Sequence, residues 1–218
     1  MLPPKTYFRE LYDRFGYPLT RRDAVPEAAI RTAERRLGVR VPRVLRDYYA
    51  IAGRKRRFAA SHNRVLPPRE WVVDRNRLVL MDENQVVVRW GVSLRNPDAA
   101  DPPVSQGVHG DAISWYPEHR RCSVFLAVML CYNAVSGGFR LCAKAEVADH
   151  AGYRFEKQGW TFYGEVNSLR AYARCGQVLC LLPPGDLPFM NKWSVLIGGK
   201  TKSDLQEIAD EVGLAIDA

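Results

Sequence analysis

The sequence predicts an α+β fold, a mostly antiparallel sheet flanked by helices, on three observations. Apolar residues recur at helical spacing through the first quarter of the chain. Most of the remainder consists of short alternating runs separated by Gly, Pro, Asp and Asn. One continuous apolar segment, Val124 to Tyr132, breaks into those runs; it is too short to span a bilayer and suits a buried core helix. Helices first, then strands around one core helix, with no internal repeat or low-complexity tract, is the α+β order.

The elements follow in chain order. A first helix is expected from about Lys5 to Phe15, because Phe8, Leu11, Tyr12 and Phe15 share one face and Gly16 and Pro18 end it. A second starts at Pro26 with Glu27 in its first turn, carries the stripe Ile30, Ala33, Leu37, and is capped by Gly38. A third starts at Pro42, buries Leu45, Tyr48, Tyr49 and Ala52, and stops at Gly53. The run Arg54-Lys55-Arg56-Arg57 reads as a basic loop. A β-rich middle containing Trp71 follows. Within it, Leu78–Met81 and Val86–Val92 flank the polar turn Asp82-Glu83-Asn84-Gln85 and predict a hairpin. In its second arm Val86, Val88, Trp90 and Val92 point one way and Gln85, Val87, Arg89 and Gly91 the other.

Residues Asn96 to Gly110 read as a long ordered loop. The core helix should run from Ser123, as N-cap, to Val135, ended by Gly137-Gly138; apolar on every side, it needs neighbours all round. Strands are expected at Phe139–Ala145, Trp160–Tyr163 and Trp193–Ile197, and a hairpin over Ala171–Leu182 turning at Cys175-Gly176. A capping box, Ser203-Asp204-Leu205-Gln206, opens the last helix, which Gly213 closes.

The 218 residues, 47% of them hydrophobic, fit one globular domain, with or without a short extension. The charged fraction of 26% gives no case for disorder. A net charge of +8 permits acidic partners, whether nucleic acid, anionic lipid or protein. The excess comes from 25 Arg against 7 Lys; arginine suits bidentate contacts with carboxylate and phosphate, although GC-rich coding produces the same bias. Five cysteines without a Cys-x-x-Cys, mostly in apolar contexts, suit the reducing cytoplasm. Met1 to Lys5 is not followed by an apolar run, so no secretory signal is expected.

Candidate chemistry is sparse. His62, His109, His119 and His150 are scattered, and Cys175 and Cys180 fall in a hairpin whose alternation sets the thiols apart, so neither metal nor cofactor is expected. There is no Gly-x-Ser-x-Gly and no identifiable Cys–His pair. Gly198-Gly199-Lys200-Thr201 has the end of a phosphate loop without its first glycine, and reads as a strand-to-helix turn. Asp82, Glu83 and Asp101 could form an acid/base or metal site if brought together, but turn chemistry accounts for Asp82 and Asn84. Arg31, Arg35, Arg36, Arg40, Arg43, Arg46 and Arg54–Arg57 make a basic accumulation. It is either a solvated helical face, a nucleic-acid surface, or a docking face for an acidic protein.

Taken in order, these segments resemble the SUKH superfamily, the SMI/KNR-type proteins. The matching pieces are Pro26-Glu27 to Leu37-Gly38; Val41-Pro42 through Leu45, Tyr48-Tyr49 and Ala52-Gly53; Leu66-Pro67-Pro68; and Leu78–Met81 with Glu83-Asn84-Gln85 and Trp90-Gly91-Val92. They continue through Asp101-Pro102-Pro103-Val104, Trp115, and Ser123 with Phe125-Leu126 and Met129-Leu130. The resemblance covers residues 25–138; the rest of the expected 25–218 domain is compatible with it, and residues 1–24 read as an N-terminal helical extension.

The resemblance implies an α+β fold without enzymatic activity and without catalytic residues to carry over. Many bacterial members are immunity proteins that bind and neutralise polymorphic toxins; yeast members are regulators acting through protein contacts. It therefore implies a cytoplasmic protein-binding domain whose partner is a cognate toxin, with a basic nucleic-acid-binding or regulatory scaffold as the alternative. The candidate partner-binding residues are Arg54, Arg56, Arg57, Trp71, Glu83, Asn84 and Gln85. Gly53, Trp90, Gly91, Pro102, Pro103 and Trp115 are the structural landmarks. Immunity proteins against basic nucleases tend to be acidic, so a chain at +8 implies either a toxin with an acidic face or another role, such as binding nucleic acid or scaffolding.

Overall fold

The computed structural model describes residues 3–147, 155–184 and 192–214. Among these it holds two antiparallel sheets and six α-helices, an α+β fold as expected, with two sheets in place of one. Helix α1 (Pro4–Arg14) starts on a proline whose missing N–H is no loss at that position. It buries Phe8, Leu11 and Tyr12, and Phe15 just after it, in the main core. Helix α2 (Glu27–Leu37) ends on Gly38 in the left-handed region. Helix α3 (Arg43–Ala52) does stop at Gly53, but that glycine keeps right-handed helical angles. It is needed for space, since a Cβ there would lie 2.6 Å from Tyr49 Cδ1 and 2.7 Å from Val25 Cγ2. Part of the expected basic loop is a helical turn, α4 (Arg56–Ala59), because Phe58 must reach the core.

The first sheet contains β1 (Arg64–Val65), β2 (Val72–Asp74), β3 (Arg77–Asp82), β4 (Val88–Ser93), β5 (Val104–Val108) and β6 (Ser114–His119). Its order is β1-β3-β4-β5-β6, and β2 shares the outer edge of β3 with β1. Pro67 and Pro68, which cannot donate to a ladder, occupy the break between these two edge pieces. The β3–β4 hairpin forms, but its second arm begins at Val88. Val86 takes φ +60° in the turn, and Val86 and Val87 are 48% and 51% exposed, so Val86 is not a core residue. The expected loop from Asn96 to Gly110 contains β5. A five-residue strand carrying Ser, Gln and Gly lacks an apolar signature, and its pairing with β4 and β6 on both sides makes it a strand.

Helix α5 (Cys122–Asn133) is the central pillar, buried on all sides as its composition predicts. Ser123 is its second residue, not its N-cap. A widened turn, Ala134–Gly138, with Gly137 at φ +109°, leads into the second sheet. That sheet has the order β7 (Leu141–Val147), β11 (Trp193–Gly199), β10 (Gln177–Leu182), β9 (Leu169–Arg174), β8 (Thr161–Val166). Val178 and Cys180 of β10 belong to the core around α5. Leu179 and Leu181 belong to a second, smaller core with Ile208 and Ala209 of helix α6 (Lys202–Glu211). A strand buried on both faces reads as an unbroken apolar run. The capping box of α6 lies two residues before its expected start. Thr201 is the N-cap, its hydroxyl accepting from Asp204 N–H at 3.1 Å, and Asp204 reaches back to Thr201 N–H at 2.8 Å.

Candidate functional site

The polar turn of the β3–β4 hairpin resolves into separate structural roles. Asp82 is the last residue of β3 and 5% exposed. Its two carboxylate oxygens take Arg64 Nη2 at 3.1 Å and Arg89 Nη2 at 3.0 Å, so a strand-end ion triad replaces the expected turn role. The turn is made by Glu83, whose side chain accepts Gln85 N–H at 2.9 Å and whose carbonyl accepts Val86 N–H at 2.9 Å. Asn84 and Gln85 are exposed at its tip. Asp101 is elsewhere, at the start of α5. It accepts from Ser123 N–H at 2.8 Å, Ser123 Oγ at 2.6 Å and Arg121 Nε at 3.0 Å. It caps the helix from a distance and places negative charge at the positive end of the dipole. The three carboxylates are therefore not brought together into one site.

The landmark residues each have a packing reason. Pro102 O accepts Cys122 N–H at 3.0 Å and Pro103 O accepts Ser93 N–H at 2.9 Å, so this turn ties β4 to α5. Trp115 lies across the sheet where Gly91 and Gly107 leave room; a Cβ on either would stand 2.9 Å from its ring. Its Nε1 donates to Asp74 at 2.5 Å and the Arg77 guanidinium lies 5.1 Å from a ring centre. Trp90 packs on Phe125 and donates to Glu118 at 3.1 Å.

Of the candidate partner-binding residues, Trp71 is corrected by the structure. It is 0% exposed, edge-on to Tyr49 at 4.9 Å, with Nε1 bonded to Leu66 O at 3.0 Å, so it cannot touch a partner. Arg57 is held by Gly138 O at 3.1 Å and by the ring of Tyr17 at 4.9 Å. Arg54 and Arg56 are exposed, have no ion-pair partner among the described residues, and with Arg69 line a cleft of about 270 Å³ floored by Pro26, Pro67 and Pro68. Much of the upstream arginine accumulation is spoken for. Arg46 joins Glu27 and Glu34, Arg36 donates to the carbonyls of Pro68 and Trp71, and Arg43 approaches Asp47 at 3.7 Å. Lys200, which closes the glycine-rich turn, donates to Gly16 O at 3.0 Å and lies over Tyr17, so its ammonium is occupied within the fold.

One cleft was not indicated by any motif. It has a volume of about 490 Å³ and is bounded by the β2–β3 turn and the ends of β4 and β6, with Arg77, Arg95 and Arg120 around it. The Arg75-Asn76 pair between two short β runs is the sequence signal for that turn. Among the described residues no three His, Cys, Asp or Glu side chains converge as a metal site, and His150 lies outside them. Cys142 and Cys175 are exposed and Cys122, Cys131 and Cys180 buried; Cys175 lies in the turn after β9 and Cys180 within β10. No helix of the described residues is long and apolar enough to cross a membrane. Searches against family models, curated proteins and solved structures find no match to this chain.

Proposed function

We propose that this chain is a non-catalytic protein-binding domain of the SUKH type, an immunity protein that binds and neutralises a toxin with an acidic face in the cytoplasm. The observation that carries this reading is the placement of the resembling segments. Residues 25–138 supply α2, α3, the whole first sheet and α5, and the landmark side chains within them serve packing and capping. Asp82, Glu83 and Asp101 are each committed to holding the fold, while arginines with no ion-pair partner among the described residues stand at the clefts. Such a surface suits recognition better than bond-making chemistry.

Co-expression with the toxin domain encoded beside this chain is the direct test. Rescue of growth together with co-purification is expected; a toxin that is neither bound nor neutralised removes the reading. A second reading, a nucleic-acid-binding module, is favoured by the exposed Arg54 and Arg56, which have no ion-pair partner among the described residues. It requires a gel shift with DNA or RNA that weakens steeply with salt, and absence of a shift at low salt ends it.

A further inference from the structure

We infer that the 490 Å³ cleft at the end of the first sheet is an anion-recognition site that receives an acidic loop of a protein partner through Arg95 and Arg120. This rests on the protein-binding reading above and adds the face and the chemistry of the contact. The first observation is uncompensated charge. Arg95 and Arg120 are exposed and have no ion-pair partner among the described residues. Arg77 stands beside them, held to Arg75 O at 3.1 Å. Its guanidinium is pulled below the usual value by burial and then by the charge of Arg95, with Arg75 adding to the effect and Asp74 opposing it.

The nearby carboxylates relieve this crowding only in part, Asp74 being the one that opposes it. Asp74 is bonded to Trp115 Nε1, and Glu118 gives its oxygens to Trp90 Nε1 at 3.1 Å and Asn167 Nδ2 at 2.8 Å. Like charges gathered in a concave, partly apolar wall repel one another in the free protein, and an incoming anion converts that repulsion into attraction.

The second observation is the backbone beside it. Arg75 and Asn76 take φ +46° and +61°, the pattern of a tight two-residue hairpin turn. Asparagine accepts this readily, whereas arginine does so only at a steric cost. This turn fixes the edge of the cleft; Asn167-Ser168, between β8 and β9, adopts the same geometry.

The cleft fits a protein loop better than a nucleic acid. Pro103, Val104 and Pro117 give it a compact apolar seat; its one ring, His119, is tied through Nδ1 to the Arg121 backbone at 2.9–3.0 Å, and no series of aromatic faces lines it for base stacking. Trp115, the nearest indole, is covered by Arg77 and packed over two glycines. The basic groups converge on one pocket and do not form the track that a phosphodiester backbone follows.

The test uses the full chain, a fluorescein-labelled hexaglutamate peptide and a labelled oligothymidylate, read by anisotropy at low salt. Hexaglutamate should bind, and R95A/R120A should weaken it by about tenfold or more, as loss of two charge contacts predicts. The matched control R21A/R22A, which removes the same charge from the exposed Arg21 and Arg22, should change it by less than about twofold. R95K/R120K should retain most of the affinity, which separates recognition from misfolding.

No binding at low salt overturns the inference, as does an equal loss in both alanine pairs, which would mean net charge alone. Tighter oligothymidylate binding lost in R95A/R120A overturns the choice of an acidic protein. In the co-expression assay, neutralisation left intact by R95A/R120A removes the cleft while the immunity reading stands. Hexaglutamate binding without neutralisation of any neighbouring toxin does the reverse.

Discussion

Asp82 shows how much a single side chain can hold. Its carboxylate is shared by Arg64 from β1 and Arg89 from β4, so three strands meet at one charge. Asp82→Ala leaves two cations facing a closed strand end. Breaking a fully buried pair costs ~3–5 kcal/mol, and because the Arg64 side chain is 41% exposed we expect about 2–3 kcal/mol. Urea unfolding should show a lower midpoint at an unchanged slope.

Glu118 gives a pH signature. Burial pushes its carboxyl above the ordinary value of 4.5, so the folded state holds this proton more tightly than the unfolded chain does. Stability from this group is present below the ordinary value and lost as pH rises through the raised folded value. Glu118→Gln removes that loss. Relative to wild type, the variant's stability should therefore improve as pH rises from about 4 to about 7, and a flat difference over that range would contradict the sign.

At this scale the sequence was a partial guide. It pointed to Asp82, Asp101 and Trp115 as residues that matter, but Asp82 read as a turn former and Trp71 as a contact residue. Neither error was avoidable from spacing, because the partners lie far away in the chain or on another element. Arg64 is 18 residues from Asp82 and Ser123 is 22 from Asp101.

Helix α5 and the second sheet approach closely at a glycine. Gly164 of β8 takes φ +135°, and a Cβ there would stand 2.3 Å from Val124 Cγ1 of α5. Gly159 also has a positive φ, +83°, but has nothing within 4 Å of the added atom. Comparing the two separates backbone strain from collision. Gly159→Ala should cost about 1 kcal/mol. Gly164→Ala should cost about 3 kcal/mol, as overpacking is added to strain. Thermal unfolding of the pair, with the larger drop in midpoint at Gly164, is the check; equal drops would mean that α5 yields freely.

Helices were the most legible elements, because helical spacing and proline starts are local signals. Helix α1 was expected over 5–15 and spans Pro4–Arg14. Strand β5 was missed because its identity comes from its neighbours, and the start of β4 slipped because Val86 and Val87 continue an apolar run into a turn.

The whole molecule is joined by its aromatic residues. Phe15, just after α1, lies 4.7 Å from Phe58 and 6.2 Å from Phe139 by ring centres, linking the N-terminal helices to the turn that enters the second sheet. The segment read as an N-terminal extension thus contributes to the same core as residues 25–138. Phe15→Ala should cost ~3–5 kcal/mol and act on global unfolding.

Thiol reactivity reports the same cooperativity. In the native protein Cys175 should react first and Cys142 more slowly, burial having raised its thiol, while Cys122, Cys131 and Cys180 wait for unfolding. A third fast thiol would show that one part of the molecule opens alone. Pairing order at this scale was beyond sequence reading, since β7 meets β11 across some fifty residues and nothing local in either strand names the other.

Gly16 O receives Lys200 Nζ, and Arg14 O receives Gly176 N–H at 2.7 Å. During synthesis, then, α1 can bury its aromatic stripe early, against Tyr48 of α3 and Phe58 of α4. The bonds that fix its C-terminal end come only with Gly176 and Lys200, so the helical cluster forms first and is tethered to the second sheet much later. Completion of the fold is therefore a late event, paced by translation.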